Sequence, residues 1–450
     1  MDIEEMVALS REAQGKFGEF TQERVDAAVR AVGKLVFDQA APLAKMAVEE
    51  TRMGVYEDKV KKNLGKARII WHSLKGKRSV GVLDDRSEPG IVKIAKPKGV
   101  VAAVTPCTNP VVTPMFNAMI ALKGGNSIIF APHPRARRCA RRLVDLFNAE
   151  LARLGAPENL VQTVDEPSNE LTAELMRAGD VVVATGGMGM VRAAYSSGKP
   201  AYGVGVGNVQ CIVDRGYSLD LCIPKIVEGR AFDNGIICSG EQTIICHRDD
   251  YPAMTKTLAA NKVYFTADRA ETARVRDALF PGGVMAKDLV GQSAAAVAAA
   301  AGIGIPEGTR ALAVEAEGVG RADLLSKEKM CPVLSTYRYE SFAEAVAIAN
   351  ANLAIEGRGH SISLHTDRGE NAEYAGIHIP VCRVLVNQIC STMNGGSFLN
   401  SLTPTTTLGC GSWGNNSISE NLGFKHLINV IRVAHPLDDA KVPADDEIWG

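Results

Sequence analysis

At 450 residues the chain exceeds one ordinary hydrophobic core and calls for two or three domains. Its 50 basic residues balance 51 acidic ones, which argues against nucleic acid or an anionic membrane as the main partner. With 43 glycines and only 5% aromatic residues the composition is that of an α/β protein with many tight turns, and a small molecule is the expected partner.

The acidic start, Met1 to Met6, lacks the basic and apolar regions of a secretory signal, so a cytoplasmic location is expected. No apolar run reaches membrane-spanning length; the longest, Ala294 to Ile305, is Ala-rich and broken by glycine. Thr21 is a candidate N-cap, and Val25, Val29, Val32 and Val36 follow at helical spacing, so residues 21–50 read as amphipathic helices. Residues 79–98 change character. Two short apolar runs flank the turn-rich Asp84-Asp85-Arg86-Ser87-Glu88-Pro89-Gly90, which predicts a hairpin. An apolar hairpin seeks a partner, so it reads as an oligomerisation arm, the alternative being a hairpin folded onto its own domain.

From Gly99 onward strand, loop and helix repeat. Val100–Val104, Ser127–Phe130 and Asp180–Ala184 are apolar strands ending at Thr105-Pro106, Ala131-Pro132-His133-Pro134 and Thr185-Gly186-Gly187. Strands buried on both faces and alternating with helices predict a doubly wound parallel sheet, with ligands at the carboxyl ends of its strands. Thr185-Gly186-Gly187-Met188-Gly189-Met190 opens a helix after a strand, an arrangement that receives a pyrophosphate or merely packs helix on sheet. The ten cysteines include no C-x-x-C pair, so neither a metal site nor a disulfide framework is expected. One of them stands out. Cys238, in Phe232-Asp233-Asn234-Gly235-Ile236-Ile237-Cys238-Ser239-Gly240-Glu241-Gln242, lies between an apolar run and small or amide residues, a seat suited to a nucleophilic thiolate and equally open to an inert buried cysteine.

Six segments in register then carry a resemblance. Thr105 to Pro110, Phe130 to Arg135, Thr185 to Gly189, Asn234 to Cys238, Glu328 to Pro332 and Leu408 to Ser417 look like the ordered signature of the CoA-acylating aldehyde dehydrogenases, over almost the whole chain. Within that family the similarity is strongest to the CoA-dependent succinate-semialdehyde enzymes, including the terminal Glu447-Ile448-Trp449-Gly450, and extends to the acylating sulfoacetaldehyde enzymes. The resemblance implies a Rossmann-type cofactor domain (1–78 and 99–210), a catalytic α/β domain (211–424) and a small β oligomerisation arm (79–98 with 425–450). A homodimer or dimer of dimers is the expected assembly.

It also implies roles. Cys238 attacks the aldehyde, hydride leaves for a nicotinamide cofactor, and the thiol of CoA takes the acyl group from the enzyme thioester. Asn109 matches the oxyanion amide, although on local grounds an Asx turn before Pro110 fits as well. Glu328 matches the carboxylate that holds the nicotinamide ribose; in isolation it reads as a solvated charge. Thr105, Pro106, His133, Arg135, Thr185, Gly186, Gly187, Gly189 and Gly205 are the remaining candidates for cofactor binding. Ser239, Ser391 and Thr392 are candidates for the substrate's anionic end. His360 reads either as a structural histidine or as a proton carrier for CoA.

Two departures refine the expectation. Hydrolytic relatives carry a glutamate, about 35 residues before the cysteine, that activates water; here Tyr202-Gly203-Val204-Gly205-Val206-Gly207-Asn208 has no carboxylate, and Gly203 stands in its place. Acyl-CoA is therefore expected over free acid. In those relatives a glutamate also meets the adenosine 2′-hydroxyl, whereas here Arg135, Arg137 and Arg138 follow the strand, which favours NADP over NAD. The leading reading is a reversible acylating dehydrogenase of a short anionic aldehyde, succinate semialdehyde before sulfoacetaldehyde or acetaldehyde. The competing classes are an acyl-phosphate reductase, marked by phosphate as acyl acceptor, and a catalytically silent scaffold.

Overall fold

The computed structural model describes residues 2–85, 87–438 and 440–450; Arg86 of the expected turn and Met1 lie outside them. Four helices come first: α1 (Ile3–Phe17), α2 (Gln22–Asp38), α3 (Ala40–Thr51) and α4 (Tyr56–Leu74). Thr21 caps α2 by accepting from the Arg24 amide, and Val25, Val29, Val32 and Val36 form its buried stripe, as the spacing predicts.

Among the described residues fifteen strands, numbered in chain order, build three sheets. The first large sheet has β3 (Val100–Thr105) at its centre, β4 (Ser127–Pro132) and β5 (Val161–Thr163) on one side, and β6 (Val181–Thr185) and β7 (Ala201–Val204) on the other. All its pairings are parallel. Every residue of β3 and β4 is buried, which is why these strands read as unbroken apolar runs. Chain order reverses between β3 and β6, so the loops after Thr105 and Thr185 flank the switch point where ligands gather.

The second large sheet is also parallel. Its order runs β10 (Val263–Thr266), β11 (Ala311–Glu315), β12 (Val333–Tyr339), β9 (Thr243–His247), β8 (Gln210–Val213), β13 (Ile362–His365) and β14 (Val384–Val386). Its site-bearing loops lie before the strands: Gly207 precedes β8, Cys238 precedes β9, and Glu328 precedes β12. Loops at the carboxyl ends of the first sheet thus meet loops at the amino ends of the second. The carboxyl-end expectation describes only the first half of this arrangement.

The third sheet joins β1 (Gly81–Val82), β2 (Ile91–Pro97) and β15 (Ile428–Ala434), all antiparallel. The hairpin therefore exists but its first strand is two residues long, and the far longer β2–β15 pairing carries the arm. The chain returns to the first core before β15, because Leu422 and Leu427 pack with the helices and sheet of that half, and Ser417 donates its amide to Tyr195. Residues of the segment 417–427 therefore pack with the first half although they follow the second in sequence. Among the described residues no helix is long and apolar enough to cross a membrane, and no cluster of His, Cys, Asp or Glu suits a metal ion.

Candidate active site

Three consecutive residues, Asp233 (φ 52°), Asn234 (φ 52°) and Gly235 (φ 68°), hold left-handed backbone just before the cysteine loop. Such a run strains non-glycine residues and persists only where surrounding bonds impose it. Here the buried Asp233 carboxylate accepts from the Val55 amide at 2.8 Å and from Lys59 Nζ at 3.1 Å, and Asn234 donates to the Gly291 carbonyl at 3.0 Å. Beyond it a turn, closed by Gly240 N–H to the Ile237 carbonyl at 2.8 Å, presents Cys238 partly exposed. Burial pushes the Cys238 thiol up to about 12, with the Glu328 carboxylate adding to the rise and Arg383 opposing it, so the resting nucleophile is a neutral thiol.

Cys238 opens into a cavity of about 420 Å³ whose wall includes Asn109, Ser239, Ser391 and Thr392. Tertiary structure thus brings the two expected catalytic residues and the three substrate candidates to one space. Ser239 Oγ donates to the Ser391 carbonyl at 3.0 Å, which ties the nucleophile turn to the short helix Cys390–Met393. Ser391 Oγ and Thr406 Oγ1, both on the cavity wall, are buried without a partner among the described residues. The opposite wall comes from α4, with Lys61, Lys62, Lys66 and Arg68, and among the described residues no carboxylate lines the cavity. Lys66 Nζ donates to the Gly395 carbonyl at 3.0 Å and the Thr405 carbonyl at 3.3 Å. A Cβ at Gly395 would lie 2.7 Å from the Thr405 carbonyl oxygen, backbone that cannot readily move, so glycine suits this position. Burial lowers Lys66 to about 8, Lys62 adding to the fall.

Lys61, Lys62 and Lys66 of α4 stand on the cavity wall and were passed over by motif reading. Their signal was available: Lys59, Lys62 and Lys66 stand at i, i+3 and i+7, a one-sided cationic stripe on a helix.

The cofactor candidates divide. The helix Met188–Tyr195 starts at Gly187 with no side-chain cap, and a side chain added at Gly187 or Gly189 would meet open space, so the amides at this end are reachable by a pyrophosphate. Thr105 and Pro106 end β3 nearby, and Thr185 lies within hydrogen-bond reach of Thr407 at 3.4 Å. Glu328 is buried and accepts from the Gly207 amide at 3.2 Å; burial and the neighbouring Glu356 push it up to about 8. Gly207 in turn presses on the nucleophile turn, since a Cβ there would lie 1.8 Å from the Cys238 carbonyl oxygen. Glu328 therefore stands one residue contact from the cysteine and is no solvated charge. The residues present suit a nicotinamide dinucleotide.

Other candidates have structural duties. Gly205 lets Met188 pack closely, a Cβ there lying 2.4 Å from its sulfur. His133 Nδ1 accepts from the Arg135 amide at 3.1 Å, capping the turn after β4. Arg135 donates to the Thr51 carbonyl at 2.6 Å, Arg137 pairs with Glu166, and Arg138 with Glu50. Arg135 is thus engaged by the backbone of a distant segment, whereas Arg137 and Arg138 hold exposed ion pairs and stay open to solvent. His360 is fully buried with both ring nitrogens unpartnered among the described residues, and burial beside Arg383 lowers it to about 3, so it is not a histidine held by hydrogen bonds.

A thiol presented by a strained turn, an amide across a cavity, and a dinucleotide-type sheet define a thiol-dependent α/β oxidoreductase. The family model described as "Aldehyde dehydrogenase family" matches residues 1–276. The chain is 51% identical over 450 residues to succinate-semialdehyde dehydrogenase (acetylating) of Clostridium kluyveri, covering 100% of this chain and 99% of that one. It is 40% identical to sulfoacetaldehyde dehydrogenase (acylating) of Cupriavidus necator over 454 residues, with 99% and 91% covered. The crystal structure of an acetylating aldehyde dehydrogenase from Geobacillus thermoglucosidasius superposes with a TM-score of 0.94 at 34% identity, covering 98% of each chain. The chain belongs to the aldehyde dehydrogenase family, in its CoA-acylating branch.

Proposed function

We propose that this enzyme interconverts a short aldehyde with an anionic tail, succinate semialdehyde foremost, and its acyl-CoA, using NADP or NAD. One observation carries the choice of tail: the cavity holding Cys238 and Asn109 is lined by four cationic side chains and, among the described residues, no anionic one. A carboxylate at the far end of a short chain from the reacting carbonyl finds the Lys66 ammonium on the cavity wall.

The Cys238 sulfur releases its proton to solvent in the open cavity and adds as thiolate to the aldehyde carbon. The oxygen that gains charge lies against the Asn109 Nδ2 donor. A bound nicotinamide cofactor would supply the hydride acceptor, and Glu328 would hold its sugar. The thioester left on Cys238 meets no base for water, because neither the cavity wall nor Tyr202–Asn208 carries a carboxylate. The CoA thiol, a strong nucleophile once ionised, then takes the acyl group, and Asn109 serves the second tetrahedral state as it did the first.

Initial rates with succinate semialdehyde, sulfoacetaldehyde, acetaldehyde and butanal, each with CoA and with both nicotinamide cofactors, test the reading. The anionic aldehydes should lead in kcat/KM; a preference for butanal would overturn the choice of tail. Product formed with phosphate in place of CoA would move the enzyme to the acyl-phosphate class, and the absence of hydride transfer with every aldehyde would mark a scaffold. The β1–β2–β15 arm is assigned to pairing of two copies, to be checked by the mass of the enzyme in solution.

A further inference from the structure

Lys62 sits between the two catalytic loops. Its ammonium donates to Asn109 Oδ1 at 2.8 Å and pairs with the buried Asp233 carboxylate. An ammonium has donors and no acceptor, so it can bind only the oxygen of the Asn109 amide and forbids the flipped arrangement. The Asn109 Nδ2 group is left with a single long contact, 3.4 Å to Thr108 Oγ1, and with the cavity in front of it. The other end of the link matters as much. Asp233 lies in the left-handed run five residues before Cys238, and its side chain shows no exposed surface. One ammonium therefore registers the amide loop after β3 against the nucleophile loop before β9, two segments more than 120 residues apart in sequence.

We propose that Lys62 is a positioning residue of the reaction: it holds the Asn109 amide with its N–H groups toward the substrate oxygen and polarises that donor. Its role rests on the reading of Asn109 as the oxyanion donor. Lys59, which also pairs with Asp233 at 3.1 Å, keeps that carboxylate neutralised when Lys62 is removed, so the fold does not depend on Lys62 alone.

The test is a double-mutant cycle on the rate of acyl-enzyme formation, read as the burst of reduced cofactor and by intact mass, with thermal midpoints measured alongside. Loss of a single oxyanion donor costs roughly 100- to 1,000-fold in rate. Lys62→Met leaves the donor in place but unheld, so it should cost less, about 10- to 100-fold in the rate of acyl-enzyme formation, with the aldehyde KM little changed. In the Asn109→Ala background the same substitution should cost less than about twofold, because the group it acts through is gone. Lys62→Arg, which keeps a cationic donor, should recover part of the rate. Equal losses in both backgrounds, or a loss that tracks a lowered thermal midpoint, would overturn the proposal in favour of a structural lysine. Undiminished turnover by Asn109→Ala would instead remove the oxyanion reading itself.

Discussion

Lys66→Met removes the ammonium assigned to the substrate's anionic end while keeping most of the side-chain volume. Two of the three ammonium protons go to the Gly395 and Thr405 carbonyls at 3.0 and 3.3 Å, which leaves one for the ligand. One charge-assisted hydrogen bond is worth about 1.5–3 kcal/mol, so the substitution should lower kcat/KM for succinate semialdehyde about 10- to 150-fold. Butanal has the same chain length and no charge; it should lose only the cost of leaving two carbonyls unpaired, which both aldehydes share. The ratio of the two kcat/KM values, measured with saturating CoA and cofactor, isolates the contribution of the anion. Proportional losses for the two aldehydes would refute the reasoning and return Lys66 to a structural role. The wild type supplies an independent check through pH. Lys66 is lowered to about 8, so its charge is present below that pH and is lost as pH rises through it. The KM for succinate semialdehyde should therefore climb above about pH 8, while that for butanal stays flat across the same window.

Cys238→Ala should abolish the acyl-enzyme detected by intact mass, whereas Cys246→Ala, at a buried position on β9 away from the cavity, should leave most activity; the reverse would move the nucleophile. Without CoA the wild type should release little free acid, and substantial CoA-independent turnover would sink the missing-base explanation. Gly203→Glu should not restore hydrolysis and should lower the thermal midpoint, since a Cβ at Gly203 meets Tyr195 and Val191 side-chain atoms at 3.0 Å. Arg135→Ala should weaken NADP and NAD alike, because the guanidinium serves the Thr51 carbonyl; a loss confined to NADP would show instead that it turns to a 2′-phosphate.

Much of the molecule was open to reading along the chain because its information is local. Buried parallel strands announce themselves as apolar runs, and β3, β4 and β6 lie within two residues of the expected segments. The nucleophile turn is legible only in part: Gly235 takes a left-handed angle that suits glycine, whereas Asp233 and Asn234 take such angles too, and the close approach of Gly207 to the Cys238 carbonyl comes from a distant segment. Motif order also sufficed to single out Asn109 and Glu328, though not to show what each touches.

What only the tertiary structure decided is pairing across long stretches of chain. A lysine on a helix surface reads as solvated until a second segment covers it. Lys66 becomes a cavity residue because the Gly395–Thr405 segment folds over α4, and Lys62 becomes a link between loops because Asp233 arrives beneath it. The same physics gives Arg135 a partner that the sequence does not show, because the α3 terminus places the Thr51 carbonyl 2.6 Å away. Charged side chains carry little local signal about their partners, since the strength of an ion pair or hydrogen bond depends on burial and geometry that distant residues supply. Composition and motif order determined the class of chemistry in this chain, and the packing of α4 against the loops of two sheets determined which charges line the cavity that holds Cys238.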